Sequence, residues 1–277
     1  MDITTLYVGQ GAMATIRHSG EMVVVDTHIP DSEKETLGRI RRKLSRLVKD
    51  HKTTGLVLTG FDADHAHADG VDMILSDLEP DWIMYPKYYK DSDSATEVFK
   101  VIDRHERRRA STAHRLIRRS VRLDKVDSRM LNGLGQSFEF ELFSPHVEDM
   151  DSSNNCSVVL KVTGTGTGGF SYLITGDTEV ERWERIYEFF KGKLKADVLA
   201  APHHGSKTGV HPKSILDISP HTVLISAGVD NQYGHPDRQA MDVYKKVAEE
   251  VWSTHEEGGV SLYTRPEGTG FKTQQTR

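Results

Sequence analysis

The strongest constraint on the fold is a regular alternation of strand-sized apolar runs with amphipathic helical patterns. The runs "EMVVVD", "TGLVLTG" and "DWIMYP" are each about the length of one strand. Between the first two, Ser32 to Lys49 repeats apolar residues at three- to four-residue spacing, which predicts a helix. The second half has the same organisation, with a helix predicted over 238–251 and a tail, "GFKTQQTR", expected to fray. Strands that alternate with helices indicate a layered α/β domain.

The organisation of the chain favours one domain over residues 1–277, because no linker or low-complexity segment separates its halves. Its apolar runs are far shorter than the roughly 18 residues that a membrane-spanning helix needs. The first residues lack the pattern of a secretory signal. The single cysteine, Cys156, excludes an internal disulfide. We therefore expect a cytoplasmic domain with no membrane partner.

Four polar clusters come directly after predicted strands. They are Asp62-Asp64-His65 after "GLVLT", Asp177 after "YLIT", His203-His204 after "VLAAP", and His235 after "VLISAGVDNQYG". In open α/β sheets ligands gather at the carboxyl ends of strands, so the four clusters can converge at one edge. Carboxylates and imidazoles without thiolates form sites for divalent cations. A lone Asp after a strand is more often a turn or helix cap, so the argument depends on the whole set.

Seven short motifs occur in an order that is typical of one protein superfamily. They are "LYVGQGAMATIR", "MVVVDTHIP", "LTGFDADH", "NNCSVVLKV", "LITGDTE", "APHHGSKTG" and "NQYGHPD". The third resembles a "THPDADH" metal motif, and the sixth resembles "APHHGSKTS". Together they resemble the metallo-β-lactamase superfamily, and within it the soluble nuclease-like domain of the ComEC competence proteins. The resemblance extends over nearly the whole chain and implies a four-layer αββα sandwich.

The resemblance implies that one group of residues binds two divalent metal ions. It implies that Asp64 and His65 bind one ion and that Asp177 bridges both. Asp62 takes a position that is histidine in many members of the superfamily, and His235 completes the ligand set. Asp64 is expected to be a catalytic residue as well as a ligand.

A second group of residues is implied to act around these ligands. His203 or His204 is expected to be a ligand or, by preference, the acid that faces the scissile phosphate in the transition state. Asp26 is expected to brace the site from behind, with Asn155 nearby. Lys207, directly after "HHGS", is a candidate for phosphate contact, although a solvated lysine is the more common outcome.

Some positions depart from the pattern of the superfamily. Gly60 stands where that pattern has its first histidine, so one ion loses an imidazole. His67 lies only two residues beyond His65, and whether it replaces the missing ligand stays open. Tyr233, before Gly234 and His235, is expected to be a packing residue.

The carboxylate-rich ligand set has a consequence for metal choice. Oxygen ligands move the preference from Zn²⁺ toward Mn²⁺ or Mg²⁺, which accept carboxylates and water. Two such ions about 4 Å apart suit the in-line displacement at a phosphodiester. We therefore expect two divalent ions, Mn²⁺ or Zn²⁺, with Mg²⁺ as a further candidate.

A basic segment contrasts with the formal charge of −5 for the whole chain. Residues from about 92 to 125 are predicted to be helical, and nine basic residues stand against two acidic ones between 104 and 125. Because arginine contacts phosphate in a bidentate geometry, Arg115, Arg118 and Arg119 are candidate substrate-binding residues. The alternative is a solvated helical face.

The sequence thus favours a metal-dependent phosphodiesterase that acts on DNA, RNA or nucleotides. A hydrolase of small esters, lactones or thioesters on the same fold is the first alternative. The second is a catalytically weakened binding or regulatory protein, in which Gly60 marks a lost metal centre. Arginines that line the cleft would favour a phosphate substrate, and arginines that face solvent would remove that support.

Overall fold

Two mixed β-sheets packed face to face form the centre of the protein. The computed structural model describes residues 1–30, 34–125, 131 and 133–276. The first sheet contains eight strands in the order β14-β13-β1-β2-β3-β4-β5-β6. Their bounds are β1 Asp2–Thr5, β2 Ala14–His18, β3 Glu21–Val25, β4 Lys52–Val57, β5 Trp82–Pro86, β6 Ile117–Val121, β13 Ser261–Glu267 and β14 Gly270–Thr276.

The second sheet contains six strands in the order β12-β11-β10-β9-β8-β7. Their bounds are β7 Phe138–Ser144, β8 Val159–Gly164, β9 Ser171–Ile174, β10 Val198–Ala200, β11 Thr222–Ile225 and β12 Glu250–Ser253. β7 to β9 pair antiparallel, and β9 to β12 pair parallel. The glycine-rich run between β8 and β9 forms a hairpin turn, as its composition predicts.

Six α-helices of the described chain cover the outer faces of the sheets. They are α1 Lys34–Leu47, α2 Ala68–Asp77, α3 Asp93–Arg109, α4 Val180–Phe190, α5 Pro212–Ile218 and α6 Arg238–Val247. The first three pack their apolar faces on the first sheet, and the last three pack on the second. None of these helices is long and apolar enough to cross a membrane.

The apolar core has three parts, which explains why the chain forms four layers. The central part joins the inner faces of the two sheets, where Trp82 of β5 meets Phe140 of β7 edge to face with ring centroids 5.7 Å apart. Each outer part lies between one sheet and its helices. The αββα sandwich of the metallo-β-lactamase fold, predicted from the sequence motifs, is confirmed.

The parallel strands place five loops at one edge of the sandwich. β3 and β4 pair parallel, so the loops after Val25 and Val57 leave the first sheet side by side. β9, β10 and β11 pair parallel in the second sheet, so the loops after Ile174, Ala200 and Ile225 leave it at one end as well. All the polar clusters singled out in the sequence lie on these loops.

Three expectations about secondary structure were wrong. The basic segment is α-helical only to Arg109, because residues 117–121 pair parallel with β5 as the edge strand β6. The tail does not fray, because β14 pairs with β13 along seven residues. The helix predicted over 238–251 ends at Val247, and Glu250–Ser253 joins the second sheet as β12. The predicted start of the first helix at Ser32 lies outside the described residues.

A glycine in β4 makes the central packing possible. Gly55 pairs with Trp82 of β5, and a Cβ atom at Gly55 would lie 2.0 Å from the indole ring. Trp82 is 1% exposed, and its Nε1 donates a hydrogen bond to the Leu134 carbonyl at 2.6 Å. The indole therefore cannot move away from Gly55 without losing its hydrogen bond to Leu134 and its buried packing.

We predict that Gly55→Ala destabilises the protein by about 1–3 kcal/mol, because overpacking forces a core side chain off its position. Thermal unfolding followed by circular dichroism measures the change. Gly60→Ala is the matched control, because a Cβ atom there meets nothing within 4 Å. Equal melting temperatures for the two variants would contradict the packing argument.

Candidate metal centre

Four side chains from three loops bring their ligand atoms together at the edge of the sandwich. One ligand atom from each of Asp64, His65, Asp177 and His204 lies within 4.8 Å of the other three. Asp64 and His65 follow β4, Asp177 follows β9, and His204 follows β10. The convergence that the sequence predicts therefore includes residues from both sheets.

The arrangement of these four side chains fits a divalent metal ion. His65 Nε2 lies 2.8 Å from Asp177 Oδ1, and His204 Nε2 lies 3.5 Å from both Asp177 Oδ1 and Asp64 Oδ2. His65 Nε2, Asp177 Oδ1 and His204 Nε2 are buried, and apart from one another and Asp64 they have no polar partner among the described residues. Buried polar atoms are normally satisfied, so three that face one another indicate a shared ligand. Two imidazoles and two carboxylates are suitable ligands for Zn²⁺ or Mn²⁺.

Asp26 fixes the orientation of His65. Its carboxylate accepts hydrogen bonds from the Thr59 amide and the Thr59 hydroxyl, both at 2.7 Å, and lies 2.9 Å from His65 Nδ1. Asp26 itself has a left-handed backbone, with φ of 55°. A carboxylate that holds Nδ1 leaves Nε2 directed at the metal position, which is the usual support for a ligating histidine.

His204 is held by the backbone of the neighbouring loop. The carbonyl of Ser226 lies 2.8 Å from His204 Nδ1, so the proton on that nitrogen is donated to the carbonyl and Nε2 faces the cluster. Both His203 and His204 have a left-handed backbone, with φ of 49° and 54°. Such residues cost about 1–3 kcal/mol each and persist only where the surrounding structure fixes them.

The Asp177 turn is supported by the "NNCS" motif. The hydroxyl of Ser157 accepts from the Asp177 amide, and Asn155 Oδ1 accepts from the Glu179 amide, both at 3.0 Å. Gly176, with φ of +52°, lies so close to Ser157 that a Cβ atom would be 2.8 Å from its side chain. Asn155 therefore lies beside the Asp177 turn and outside the group of four.

The charges of the cluster stabilise one another. Burial opposes a charge on His65, but the carboxylates of Asp177 and Asp26 outweigh it and raise its pKa well above the usual value. Burial would raise the pKa of Asp177, but the charges of His65 and His204 lower it. Burial would also raise the pKa of Asp64, but the hydrogen bond with His204 and the charge of His65 lower it. The carboxylates of Asp64 and Asp177 thus stay ionised at neutral pH, as metal ligands must be.

The structure leaves other predicted residues outside the cluster. Asp62 accepts a hydrogen bond from the Ser153 hydroxyl. The His235 ring lies 5.8 Å from the His203 ring, and His203 Nε2 lies 3.8 Å from Asp177 Oδ2. Lys207 is exposed on the turn that follows His204. In the described chain, none of these side chains belongs to the group of four.

Gly60, where a ligand histidine is missing, and His67, its candidate replacement, have simple surroundings. Gly60 has no atom within 4 Å of a Cβ built on it, so packing does not require glycine there. His67 caps α2, and its ring lies 6.5 Å from that of His28. His28 covers Gly11, where a Cβ atom would be 2.3 Å from the imidazole. Whether His67 binds metal stays a prediction.

The arginines of the basic segment make contacts within the protein. Arg118 donates to Asp103 at 2.6 Å, to Glu106 at 3.0 Å and to the Tyr85 hydroxyl at 3.1 Å. Arg115 donates to the Ala110 carbonyl, and Arg119 to the carbonyl of Arg118. None of the three lines the cavity that the cluster borders. A role of these arginines in substrate binding stays a prediction.

Two supporting residues were missed by the sequence analysis. Thr59 holds Asp26, and Ser157 holds the Asp177 turn. Both belong to motifs that were recognised, "LTGFDADH" and "NNCSVVLKV". A hydroxyl residue inside a metal motif is the signal that could have identified them.

The sequence is similar to parts of larger competence and recombination proteins. It is 35% identical over 125 residues to ComE operon protein 3 of Bacillus subtilis, and 32% identical over 129 residues to Recombination protein 2 of Haemophilus influenzae. These stretches cover 45% and 46% of this chain but only 16% and 15% of those proteins. No model of a known protein family matches the chain.

Solved structures share the fold at low sequence identity. Igni18, a metallo hydrolase from the archaeon Ignicoccus hospitalis, has a TM-score of 0.54 and 13% identity, and the match covers 96% of this chain and 100% of that one. A CmlA beta-hydroxylase variant has a TM-score of 0.52 and 12% identity, over 96% of this chain and 54% of that one. At such identities the comparison concerns the fold alone.

We predict that Asp26→Asn weakens the binding of Mn²⁺ or Zn²⁺ by about 10- to 100-fold, because the carboxylate no longer fixes the His65 tautomer. Competition with a chromophoric chelator measures the affinity. Asp69→Asn is the control, because this carboxylate in the first turn of α2 is outside the cluster. An unchanged affinity in Asp26→Asn would show that His65 is not a ligand held by Asp26.

Proposed function

For a chain that has the metallo-β-lactamase fold and resembles the competence proteins, we propose a metal-dependent phosphodiesterase that acts on DNA, RNA or nucleotides. The observation that carries the proposal is the group of four ligand atoms on Asp64, His65, Asp177 and His204, of which all but that of Asp64 belong to buried residues. Two carboxylates at this position suit ions that bind phosphate oxygens. Two relatives are named Recombination protein 2 and Competence protein ComA, and because recombination and competence act on DNA, these names support a nucleic-acid substrate.

The proposed site holds two divalent ions, Mn²⁺ or Zn²⁺, with Mg²⁺ as a further candidate. The four clustered residues would hold the first ion, with Asp177 shared between the two. Asp62 and His235 are the proposed further ligands of the second. Bound ions of this kind activate water and neutralise the charge of a reacting phosphate.

His203 is the proposed general acid. Its side chain is 22% exposed, whereas that of His204 is 4% exposed, so His203 is the more accessible of the pair. Its Nδ1 lies 3.2 Å from the Thr208 hydroxyl and 3.4 Å from the Glu179 carboxylate. These contacts orient the ring so that Nε2 faces the side of Asp177. A proton on Nε2 is therefore positioned to be donated to the leaving oxygen of a substrate bound over the cluster.

The direct test is hydrolysis by protein loaded with Mn²⁺ or Zn²⁺. Single-stranded DNA, RNA and a dinucleotide are the substrates, and Asp64→Ala is the control that removes a clustered ligand. We expect wild type to cleave at least one phosphodiester and the variant to cleave none. Hydrolysis of a small carboxylic ester without any phosphodiester cleavage would transfer the assignment to the first alternative. A metal-free, inactive wild type would favour the binding protein.

We predict that His203→Ala lowers kcat on a natural phosphodiester by about 10²- to 10⁴-fold, because its alkoxide leaving group needs a proton. The same variant should hydrolyse bis(p-nitrophenyl) phosphate almost normally, because p-nitrophenolate leaves without one. Steady-state kinetics on the two substrates measures the difference, and metal analysis confirms that the variant still binds its ions. Equal losses on both substrates would contradict the role of His203 as an acid.

A further inference from the structure

The cavity bordered by the cluster is too small to contain a substrate. It has a volume of about 50 Å³ and is lined by His65, Asp177 and His204 together with inward-facing residues of both sheets. Pockets that hold small organic ligands measure about 300–1,000 Å³, so this one has room for ions and water only. A substrate has to bind over the outer rim of the cluster, where exposed side chains contact it.

An aromatic side chain stands on this rim. The Tyr233 ring is stacked on the His235 ring, with centroids 5.8 Å apart and planes 17° from parallel. The His235 ring in turn meets the His203 ring at a steep angle of 65°, also with centroids 5.8 Å apart. His203 Nε2 lies 3.8 Å from Asp177. A continuous series of ring contacts thus leads from the protein surface to the metal centre.

Tyr233 is exposed, contrary to the expectation that it packs in the interior. It is 60% exposed, although a ring of this size is usually covered. In the structure the stack on His235 covers part of the ring, and the remainder is open to solvent.

The loop that carries the stack is held firmly. The side chain of Asn231 accepts from the His235 amide at 3.0 Å and donates to the His235 carbonyl at 2.6 Å. It also donates to the Gly228 carbonyl at 2.9 Å, and the Gly228 amide donates to Gln10 Oε1 at 3.0 Å. The position of the stack is thereby fixed relative to the loop after β1, so binding requires little ordering of the loop.

We propose that Tyr233 stacks on an unpaired nucleobase of the substrate and thereby places the adjoining phosphodiester over His203 and the metal centre. The proposal rests on the proposed function and narrows its substrate to single-stranded nucleic acid or a free nucleotide. An exposed aromatic ring beside a phosphate-cleaving centre matches the way in which proteins bind single strands without sequence preference. In a duplex both faces of each base are covered by its neighbours, so only an unpaired or terminal base can stack on the ring.

The test compares a short oligothymidylate with a strand of equal length and phosphate number in which every base is replaced by an abasic residue. With Mn²⁺-loaded wild type, we expect kcat/KM to be about tenfold or more higher on the strand with bases. Tyr233→Ala should abolish this preference mainly through KM, and Tyr233→Phe should preserve it. Phe189→Ala is the control, because Phe189 is 72% exposed at the far end of α4.

A binding measurement separates this inference from the proposed function. A single strand that contains 2-aminopurine loses fluorescence when that base stacks on an aromatic ring. We expect quenching by wild type and Tyr233→Phe and little quenching by Tyr233→Ala. If this pattern occurs without any hydrolysis, the stacking role stands and the phosphodiesterase assignment fails. If wild type and Tyr233→Ala show the same quenching, or the same preference for bases, the stacking role is wrong.

Discussion

The rest of the site depends on the contact of His65 with two carboxylates, because this contact joins the two sheets. Asp26 follows β3 of the first sheet, and Asp177 follows β9 of the second. His65 lies between them, with Nδ1 2.9 Å from Asp26 and Nε2 2.8 Å from Asp177. Burying carboxylates costs several kcal/mol unless they are paired, so the three groups are stable together and unstable separately. A divalent ion between His65 and Asp177 would satisfy the same requirement.

The loops around this contact accept unfavourable backbone geometry to keep it in place. Asp26, His203 and His204 all have a left-handed backbone, which only glycine adopts freely. Each is compensated by hydrogen bonds: Asp26 by Thr59, and the two histidines by the Gly176 and Ser226 carbonyls. The stability of the sandwich core thus supports a strained edge, which is a common arrangement at functional sites.

The sequence predicts the layers and the clustered residues well because both follow from short patterns. "LTGFDADH" and "APHHGSKTG" place Asp64, His65 and His204 directly after parallel strands, and parallel strands end at one edge. The sequence cannot distinguish Asp62 from Asp64 as clustered residues, because that difference depends on the Ser153 hydroxyl, 91 residues away. The sequence likewise cannot distinguish His203 from His204, because the different orientations of the two side chains depend on the backbone of a single turn.

The wrong predictions of secondary structure for β6 and β14 also have a physical reason. β6 has the sequence "IRRSV", and its arginines mask the strand pattern, because Arg118 is neutralised by Asp103 and Glu106 on α3. β14 is polar at most positions and is stabilised by pairing with β13 rather than by burial. Tertiary partners decide both cases, and local sequence carries little information about them.

Anomalous diffraction from crystals grown with Mn²⁺ locates each bound ion among the side chains. We expect a strong peak within bonding distance of His65 Nε2, Asp177 and His204 Nε2, and the proposed second ion predicts a further peak toward Asp62 and His235. Ordered Mn²⁺ elsewhere in the crystal, with no peak at the cluster, would contradict the assignment of these residues as a metal centre.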